Sequence, residues 1–233
     1  MNKQRIIDEC NRLVDSGQNR ECIELLTEVI ANNPEESQYY GYRGSILSSA
    51  GKHLEALDDF RNSVRIDPHY ELGYICQCNE YRFLGLDVEA LESIEKAYEL
   101  NSNDPLIARI LAQCLIRDGQ YVQSRDVLKR AIVAAPKDAD LWSWLAHTYE
   151  KLELLSESVE AQKRACEFEP NDAFEFVMLA HSFIKLNDFT SALDALRIAT
   201  EKLQVPEAEQ LSAPGEELFE LCKRQIENAQ SCQ

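Results

Sequence analysis

Residues 139–172 read ADLWSWLAHTYEKLELLSESVEAQKRACEFEPND, and this stretch is one copy of a unit that recurs along the chain. It holds two segments of helical apolar spacing, with a polar turn between them and a proline near the end. The same 34-residue period extends outward in four glycines and four prolines: Gly17, Gly51, Gly85, Gly119, Pro34, Pro68, Pro136 and Pro170. A fixed period of this length is typical of an array whose units stack on their neighbours.

The period divides the chain into six repeats, numbered so that proline falls at position 32 of each 34-residue repeat. Positions 8, 20 and 27 hold residues no larger than Cys in seventeen of eighteen cases, with Val29 as the exception. Small residues at fixed places predict that two helices approach closely there. Large apolar residues prevail at positions 4, 11 and 24, so each repeat is predicted to be two amphipathic helices. The repeats begin near Lys3, Ser37, Glu71, Pro105, Ala139 and Ala173.

Position 15 and position 32 provide the predicted ends of the two helices. Glycine prevails at position 15 and adopts the left-handed backbone of a helix terminus without strain; Asn187 can do the same, whereas Glu153 is the exception. Proline at position 32 is expected to stop the second helix, because it has no N–H and clashes with the preceding turn. Ser102 replaces that proline in repeat 3, where Asp104 is predicted to cap the next helix.

Repeat 5 resembles the tetratricopeptide repeat (TPR) family. The residues that carry the resemblance are Trp142, Leu145, Ala146, Tyr149, Ser158, Ala165 and Pro170. The likeness covers about residues 3–206 and implies an all-α fold, a right-handed α-solenoid of six helix-turn-helix units whose first helices line the concave side. One departure is polar position 7 in the first three repeats (Glu9, Arg43, Gln77), from which we expect looser packing of the N-terminal half.

The domain organisation predicted on this basis is a TPR array over 1–206, a linker over 207–215 and a C-terminal capping helix over 216–230. The linker contains proline and glycine, whereas the last segment has apolar residues at helical spacing among charges. A helix there would cover the apolar face that a stacked array exposes at its end.

The composition narrows the classes of partner and compartment. Forty-one acidic and 24 basic residues leave a net charge of −17, which opposes binding to nucleic acid and to anionic membranes. No apolar signal segment or membrane span is visible, so we expect a cytoplasmic protein. The eight cysteines lack the C-x2-C spacing of zinc and redox sites, and we expect them to be reduced, structural thiols.

The resemblance implies that positions 2, 5, 6, 9, 12 and 13 of the first helices face a binding groove. Position 9 is polar without a fixed charge in all six repeats, and side-chain amides there could hold an extended peptide backbone. The groove positions carry five bases and four acids, a net +1, with all the bases in repeats 3–6. The predicted peptide-binding residues are Asn11, Tyr42, Ser45, Asn79, Arg82, Phe83, Arg109, Gln113, Arg117, Trp144, His147, Lys151, His181 and Lys185.

The predicted function is a non-enzymatic scaffold or adaptor that binds a peptide or helix of another protein, with some acidic and apolar residues. Tyr42, Phe83 and Trp144 are favoured as exposed anchors, whereas Phe174, Val177 and Met178 face either ligand or the capping helix. No catalytic motif and no cofactor or metal is predicted. The family's carboxylate clamp is not expected, because in repeats 1–3 only Asn11 matches its pattern.

Two alternatives remain. One is self-assembly as a structural homo-oligomer through the groove or the terminal helix. The other is a metal-dependent protein in which His147 and His181 are joined by Glu150 or Cys114, although two hydrogen-bonded histidines are the more ordinary interpretation.

Overall fold

The computed structural model describes residues 3–202, together with Glu220 and Arg224. Residues 3–202 form twelve α-helices, and no strand occurs in this range. The helices are α1 Lys3–Asp15, α2 Asn19–Asn32, α3 Ser37–Ser49, α4 His53–Ile66, α5 Glu71–Phe83, α6 Asp87–Leu100, α7 Pro105–Arg117, α8 Tyr121–Ala134, α9 Ala139–Lys151, α10 Leu155–Phe168, α11 Ala173–Lys185 and α12 Phe189–Lys202. The predicted all-α fold of helix-turn-helix units is confirmed.

Every repeat has the same helix bounds: the first helix covers positions 1–13 and the second covers positions 17–30. Second helices end at position 30 even where proline is missing, as in repeat 3, where α6 ends at Leu100. Asn101 then leaves the helical conformation while its N–H still bonds the carbonyl of Ala97. Proline therefore accompanies this helix end but is not required for it. Asp104 accepts hydrogen bonds from the N–H groups of Leu106 and Ile107, as predicted for a cap.

The turn inside each repeat is the same in all six. Position 15 has a left-handed backbone throughout, with φ of 74–79° at the four glycines, 59° at Glu153 and 60° at Asn187. In repeat 5 the N–H of Glu153 bonds the carbonyl of Glu150, and that of Leu154 bonds the carbonyl of Tyr149. This pair of bonds is the Schellman arrangement, which satisfies carbonyls left open at a helix end. Glu153, the exception by sequence, thus adopts the conformation of the glycine it replaces.

The chain divides into two compact units, residues 1–107 and 108–233, with the division falling inside α7. In the N-terminal unit, α1 to α6 contact one another in sequence order around buried residues that include Ile6, Leu26 and Phe60. In the C-terminal unit, α8 to α12 do the same, and Leu179 and Leu196 belong to one buried apolar cluster. Each unit therefore has its own apolar core.

The columns of small residues lie where first and second helices of a repeat come together. A Cβ added to Gly44 on α3 would lie 2.8 Å from the Phe60 ring on α4, so position 8 has no room for a side chain there. In repeat 1, Cys10 occupies position 8 and Cys22 occupies position 20, and the Cys22 thiol donates to the Cys10 carbonyl at 3.7 Å. These cysteines fill close helix contacts.

The cysteine prediction can be checked at six of the eight positions, since Cys222 and Cys232 lie outside the described residues. The six are free thiols, buried except for the half-buried Cys76. Burial raises the pKa of Cys22 to about 12 and that of Cys166 to about 12. Thiols with such pKa values are poor nucleophiles at neutral pH.

Polar residues at position 7 of repeats 2 and 3 are matched across the hairpin. Arg43 forms two hydrogen bonds of 2.7 Å with Asp59, and Gln77 accepts one of 3.4 Å from Ser93. Asp59 and Ser93 both occupy position 23, where repeats 5 and 6 have alanine opposite leucine. In these two repeats the departure from the family pattern is thus a change at both positions 7 and 23, whose side chains contact each other within one hairpin. The expected looser packing stays a prediction.

A second matched pair joins consecutive repeats. A cation at position 25 lies over the aromatic ring at position 11 of the next repeat in three places: Arg61 over Tyr81 at 5.6 Å, Lys129 over Tyr149 at 5.8 Å and Lys163 over Phe183 at 5.7 Å. Such contacts favour stacking of one hairpin on the next.

The predicted linker and capping helix fall outside the described residues, apart from Glu220 and Arg224, and remain predictions. Within the part of the chain that the structure describes, no helix combines the length and apolar character needed to cross a bilayer.

Candidate functional site

The candidate site is the set of first-helix positions 2, 5, 6, 9, 12 and 13, called here the first-helix face. Helical periodicity separates these positions from 4, 8 and 11, which point into the core. None of the six position-9 side chains is buried: Asn11, Ser45 and Asn79 are exposed, and Gln113, His147 and His181 are partly so. A polar column that stays accessible along the first helices is available to a ligand.

In the N-terminal unit the first-helix face consists mainly of individual side chains and not of a hydrogen-bonded network. Asn11 lies on α1, and Asn79 and the partly buried Arg82 lie on α5. The Ser45 hydroxyl on α3 donates to the Gly41 carbonyl at 3.0 Å, so its hydrogen is used within its own helix. Asn11 and Asn79 are therefore the two exposed amides here that can both donate to and accept from a peptide backbone.

Phe83 is the most exposed aromatic of the predicted set, with 68% of its surface accessible. Its ring stacks on the imidazole of His53, with centroids 3.6 Å apart. That imidazole is held by Glu80, whose buried carboxylate lies 2.8 Å from His53 Nδ1 and also accepts from the Ser48 hydroxyl. His53 and Glu80 thus hold the exposed Phe83 ring in a fixed position, where it presents an apolar surface to solvent. The sequence analysis did not identify His53 and Glu80 as the residues that support the Phe83 ring, because the two are 27 residues apart in the chain.

The other two predicted anchors are less accessible than expected. Tyr42 is half-buried, because its ring packs against the apolar cluster of repeats 1 and 2. Trp144 is half-buried as well, and its ring meets the His147 imidazole edge-on at 5.9 Å. The expectation that both would be exposed is corrected, since a large ring on a first helix also meets neighbouring side chains.

The C-terminal unit carries most of the charge on the face, and two of its four bases are paired with acids there. Arg109 on α7 bonds Asp140 on α9 at 2.5 Å. Glu150 on α9 lies 3.6 Å from Lys185 and 3.4 Å from Nδ1 of His181, both on α11. These contacts join adjacent first helices. They also reduce the attraction that Arg109 and Lys185 would exert on an acidic ligand.

The remaining predicted bases and histidines complete this part of the face. Arg117 and Lys151 are exposed at the ends of α7 and α9. Burial lowers the pKa of His147, Lys151 and His181 lower it further, and Glu150 opposes them. His147 is therefore neutral at pH 7 and offers one donor and one acceptor, like an amide.

The apolar residues at positions of the first-helix face differ in burial. Ile75, Ile110 and Ile116 are buried and belong to the packing between helices. Phe174 is exposed, whereas Val177 packs against the core of repeats 5 and 6. Whether these two face the capping helix stays open, since that helix lies outside the described residues.

The metal alternative gains no third ligand. Among the described residues, no group of three or more His, Cys, Asp and Glu side chains is arranged to hold a metal ion. Glu150 approaches His181 but also Lys185, as an acid does in an ion-pair network.

Family models identify this architecture directly. Three models described as tetratricopeptide repeat match residues 8–71, 88–148 and 139–172. The chain belongs to the tetratricopeptide repeat family.

Curated relatives match over part of their length. The human DnaJ homolog subfamily C member 7 is 32% identical over 81 residues, which are 35% of this chain and 16% of that protein. Small glutamine-rich tetratricopeptide repeat-containing protein 2 of Mycosarcoma maydis is 26% identical over 104 residues, 45% of this chain and 30% of that protein. The matched regions thus span less than a third of these relatives.

Solved structures share the fold at low identity. A tetratricopeptide repeat protein from Parabacteroides merdae superposes with a TM-score of 0.73 at 14% identity, covering 94% of this chain and 98% of that one. YrrB, described as a TPR protein with an unusual peptide-binding site, gives 0.67 at 20% identity, with 85% and 97% covered. These likenesses concern the fold alone.

Proposed function

We propose that this protein is a non-enzymatic scaffold or adaptor that holds a peptide segment or helix of another protein on its first-helix face. The observation that carries the proposal is the position-9 column, which is polar in all six repeats and accessible in all six. Proteins of this family generally mediate protein–protein contacts, and the peptide site named for YrrB is consistent with such a role. A preformed helical surface loses little freedom on binding, which favours affinity.

The residues divide into three roles. Asn79, Gln113 and His147 hold the peptide backbone through groups that donate and accept. Phe83, on its His53 support, anchors an apolar side chain. Arg117 and Lys151, which are both exposed, contribute most to attraction of acidic residues, because Arg109 already bonds Asp140 and Arg82 is partly buried.

Binding through a neutral His147 sets the expected pH window. Burial holds its pKa below the ordinary value of about 6.5. Acidification should therefore weaken backbone binding below pH 6.5, whereas the window suggested by an unperturbed histidine lies between about 6 and 7. Below about pH 6.5 the His147 imidazole gains a proton and loses its acceptor nitrogen.

The test is selection from a random peptide-phage library on the wild-type protein, followed by titration of the selected peptides. The triple variant Asn79→Ala, Gln113→Ala and His147→Ala should weaken them at least tenfold while thermal unfolding stays nearly unchanged. A matched triple variant on second helices, Asn32→Ala, Gln123→Ala and Thr190→Ala, should bind like wild type. Equal affinity of the two triple variants would remove the proposed site.

Self-assembly, cytoplasmic location and a peptide with acidic and apolar residues remain predictions. Sedimentation over a range of protein concentrations separates self-assembly from the adaptor role, because only the former makes the mass depend on concentration.

A further inference from the structure

A pocket lies on the opposite side of α9 from the first-helix face. It opens between the second helices α8 and α10 and has a volume of about 440 Å³. Trp142, Leu145 and Tyr149 of α9 form its floor, at positions 4, 7 and 11, and Ala161 of α10 borders them. Its volume falls within the range of about 300–1,000 Å³ typical of ligand pockets. We call it the α8–α10 pocket.

The floor of the α8–α10 pocket is largely apolar. The indole N–H of Trp142 donates to the Pro136 carbonyl at 2.9 Å, which leaves the rest of the ring to the pocket. Leu145 and Ala161 occupy positions 7 and 23, and neither side chain has a polar atom that could form a hydrogen bond. Ala161 is small, so space remains above the two rings.

The corresponding grooves in the N-terminal unit are lined by polar pairs where the α8–α10 pocket has an apolar floor. The groove at repeat 2 is lined by Arg43 and Asp59, and that at repeat 3 by Gln77 and Ser93, at the same positions 7 and 23. Their hydrogen-bonded polar pairs take the place of the Leu145–Ala161 pair. The apolar floor is thus specific to this repeat among the three grooves, and sequence columns 7 and 23 predict the difference.

Charge around the α8–α10 pocket departs from the rest of the second helices. Helix α8 carries three bases and one acid, a net +2, whereas α6 carries five acids and one base, a net −4. Among the described second helices, α8 alone has a net positive charge. Lys129 of α8 and Arg164 of α10 stand at the pocket edge.

Two acids, Glu157 and Glu160, also line the pocket on the α10 side. Glu160 is bonded to Lys163 at 2.8 Å, and Arg164 is bonded to Glu167 at 2.7 Å. Lys129 has no such acid partner among the described residues, and its ammonium lies over the Tyr149 ring at 5.8 Å. The α8 edge is therefore the side that attracts negative charge.

We propose that the α8–α10 pocket is a second protein-binding site, which takes an aromatic or large aliphatic side chain of a partner from within a short acidic segment. The apolar side chain would cover the rings of Trp142 and Tyr149, and the flanking carboxylates would meet Lys129 and the positive surface of α8. This site is independent of the first-helix face, since α9 presents different residues on its two sides.

The chain offers an internal reporter for occupancy. It has two tryptophans, so Trp144→Phe in the full chain leaves Trp142 as the single tryptophan, which is excited selectively at wavelengths that tyrosine does not absorb. The probe is an acetylated, amidated peptide with one phenylalanine flanked on each side by three glutamates. We expect a saturable change in Trp142 emission. Replacing the phenylalanine by alanine should weaken binding at least tenfold, and replacing the glutamates by lysines should abolish it.

Matched variants locate the site within this reporter protein. Ala161→Leu fills the pocket and should weaken the probe at least tenfold, whereas Ala195→Leu, at the same position of repeat 6, should stay within twofold. Lys129→Gln should weaken it three- to tenfold, whereas Arg61→Gln, at the same position of repeat 2, should not. Thermal unfolding checks that all four variants are folded. Unchanged affinity in Ala161→Leu, or no binding of the probe at all, overturns the proposal.

Two further outcomes would assign a different occupant. Residues 216–221 read EELFEL, an acidic and apolar segment of this same chain. Tighter binding of the probe by Phe219→Ala would show that this segment competes for the pocket, which overturns the assignment to a partner. Self-association in sedimentation that Ala161→Leu removes would assign the pocket to a second copy of the chain.

Discussion

Glu153 carries the backbone conformation of a glycine with the side chain of a glutamate. Its φ is 59°, at the turn position where four other repeats have glycine. A left-handed residue with a Cβ is strained by about 1–2 kcal/mol, whereas glycine is not. The strain persists because the two Schellman hydrogen bonds and the packing of α9 and α10 determine the turn.

Glu153→Gly should raise the free energy of unfolding by about 0.5–1 kcal/mol, since the relief exceeds the entropy that glycine adds to the unfolded chain. The reciprocal change, Gly119→Glu, should lower it by about 1–2 kcal/mol. No atom lies within 4 Å of a Cβ at Gly119, so the backbone alone is responsible. Urea unfolding measures both, and a destabilising Glu153→Gly would contradict the strain.

Glu175 is a buried acid on α11 whose carboxylate accepts from the Gln162 amide at 2.5 Å. Gln162 stands at position 24, where the other repeats place a large apolar residue. Burial raises the pKa of Glu175, and the hydrogen bonds from Gln162 and Ser143 only partly oppose this. The folded protein therefore holds a proton on this group more tightly than the unfolded chain does.

The raised pKa fixes the sign of the pH dependence. The contribution of Glu175 to stability is complete below its ordinary pKa of about 4.3 and is lost as pH rises through the higher folded pKa. Glu175→Gln should therefore raise the free energy of unfolding at pH 7, by about 1 kcal/mol, and by less near pH 4. Urea unfolding at both pH values measures this. The exposed control Glu169→Gln should show no such difference; equal effects would refute the assignment.

At the scale of the helical pair, position 7 and position 23 act as one feature. Arg43 on α3 and Asp59 on α4 form a bidentate pair, with 19% and 5% of their side chains exposed. Two charges that are removed from water are stable only while both are present. Repeat 5 places Leu145 and Ala161 at the same two positions, so the fold accepts either solution.

Asp59→Ala should lower the free energy of unfolding by about 3–5 kcal/mol, because it leaves the Arg43 guanidinium half-buried without its acid. The double variant Arg43→Leu and Asp59→Ala copies the pair of repeat 5 and should lie within about 1 kcal/mol of wild type, or above it. Denaturant unfolding compares the two variants. A double variant no more stable than Asp59→Ala would show that the hairpin depends on the ion pair itself.

At the scale of the whole molecule, the excess of acids dominates the electrostatics. The net charge is −17, and many described ion pairs are exposed contacts of neighbouring turns, such as Arg20–Glu24 and Lys96–Glu99. Exposed pairs contribute about 0–1 kcal/mol each, whereas repulsion acts among all the unpaired acids. Repulsion therefore exceeds the surface attraction at low ionic strength.

Raising NaCl from about 0.01 to about 0.1 M shortens the screening length from about 30 to about 10 Å. The midpoint of thermal unfolding should rise, by about 2–4 °C for each kcal/mol of repulsion removed. KCl at equal ionic strength should act alike, because screening does not depend on the ion. A midpoint that falls with salt would show that surface pairs outweigh the repulsion.

The period, the helix bounds and the turns follow from the sequence because their causes are local. A left-handed residue at position 15 and an aspartate cap such as Asp104 act within a few residues, and helical spacing of small and large side chains assigns the buried faces. Even the polar exceptions Arg43 and Gln77 could have been matched with Asp59 and Ser93 by comparing two columns. The polar column at position 9 is visible in the same comparison.

Only the tertiary structure decided which side chains of the candidate sites remain available. Arg109 is bonded to Asp140, which is 31 residues away, and Phe83 rests on His53, because stacking brings separate hairpins within reach. Tyr42 and Trp144 are half-buried for the same reason. The α8–α10 pocket depends on the space left beside Ala161 by three helices. A sequence repeat states which residues share a position, but contact and empty volume arise only when the repeats are stacked.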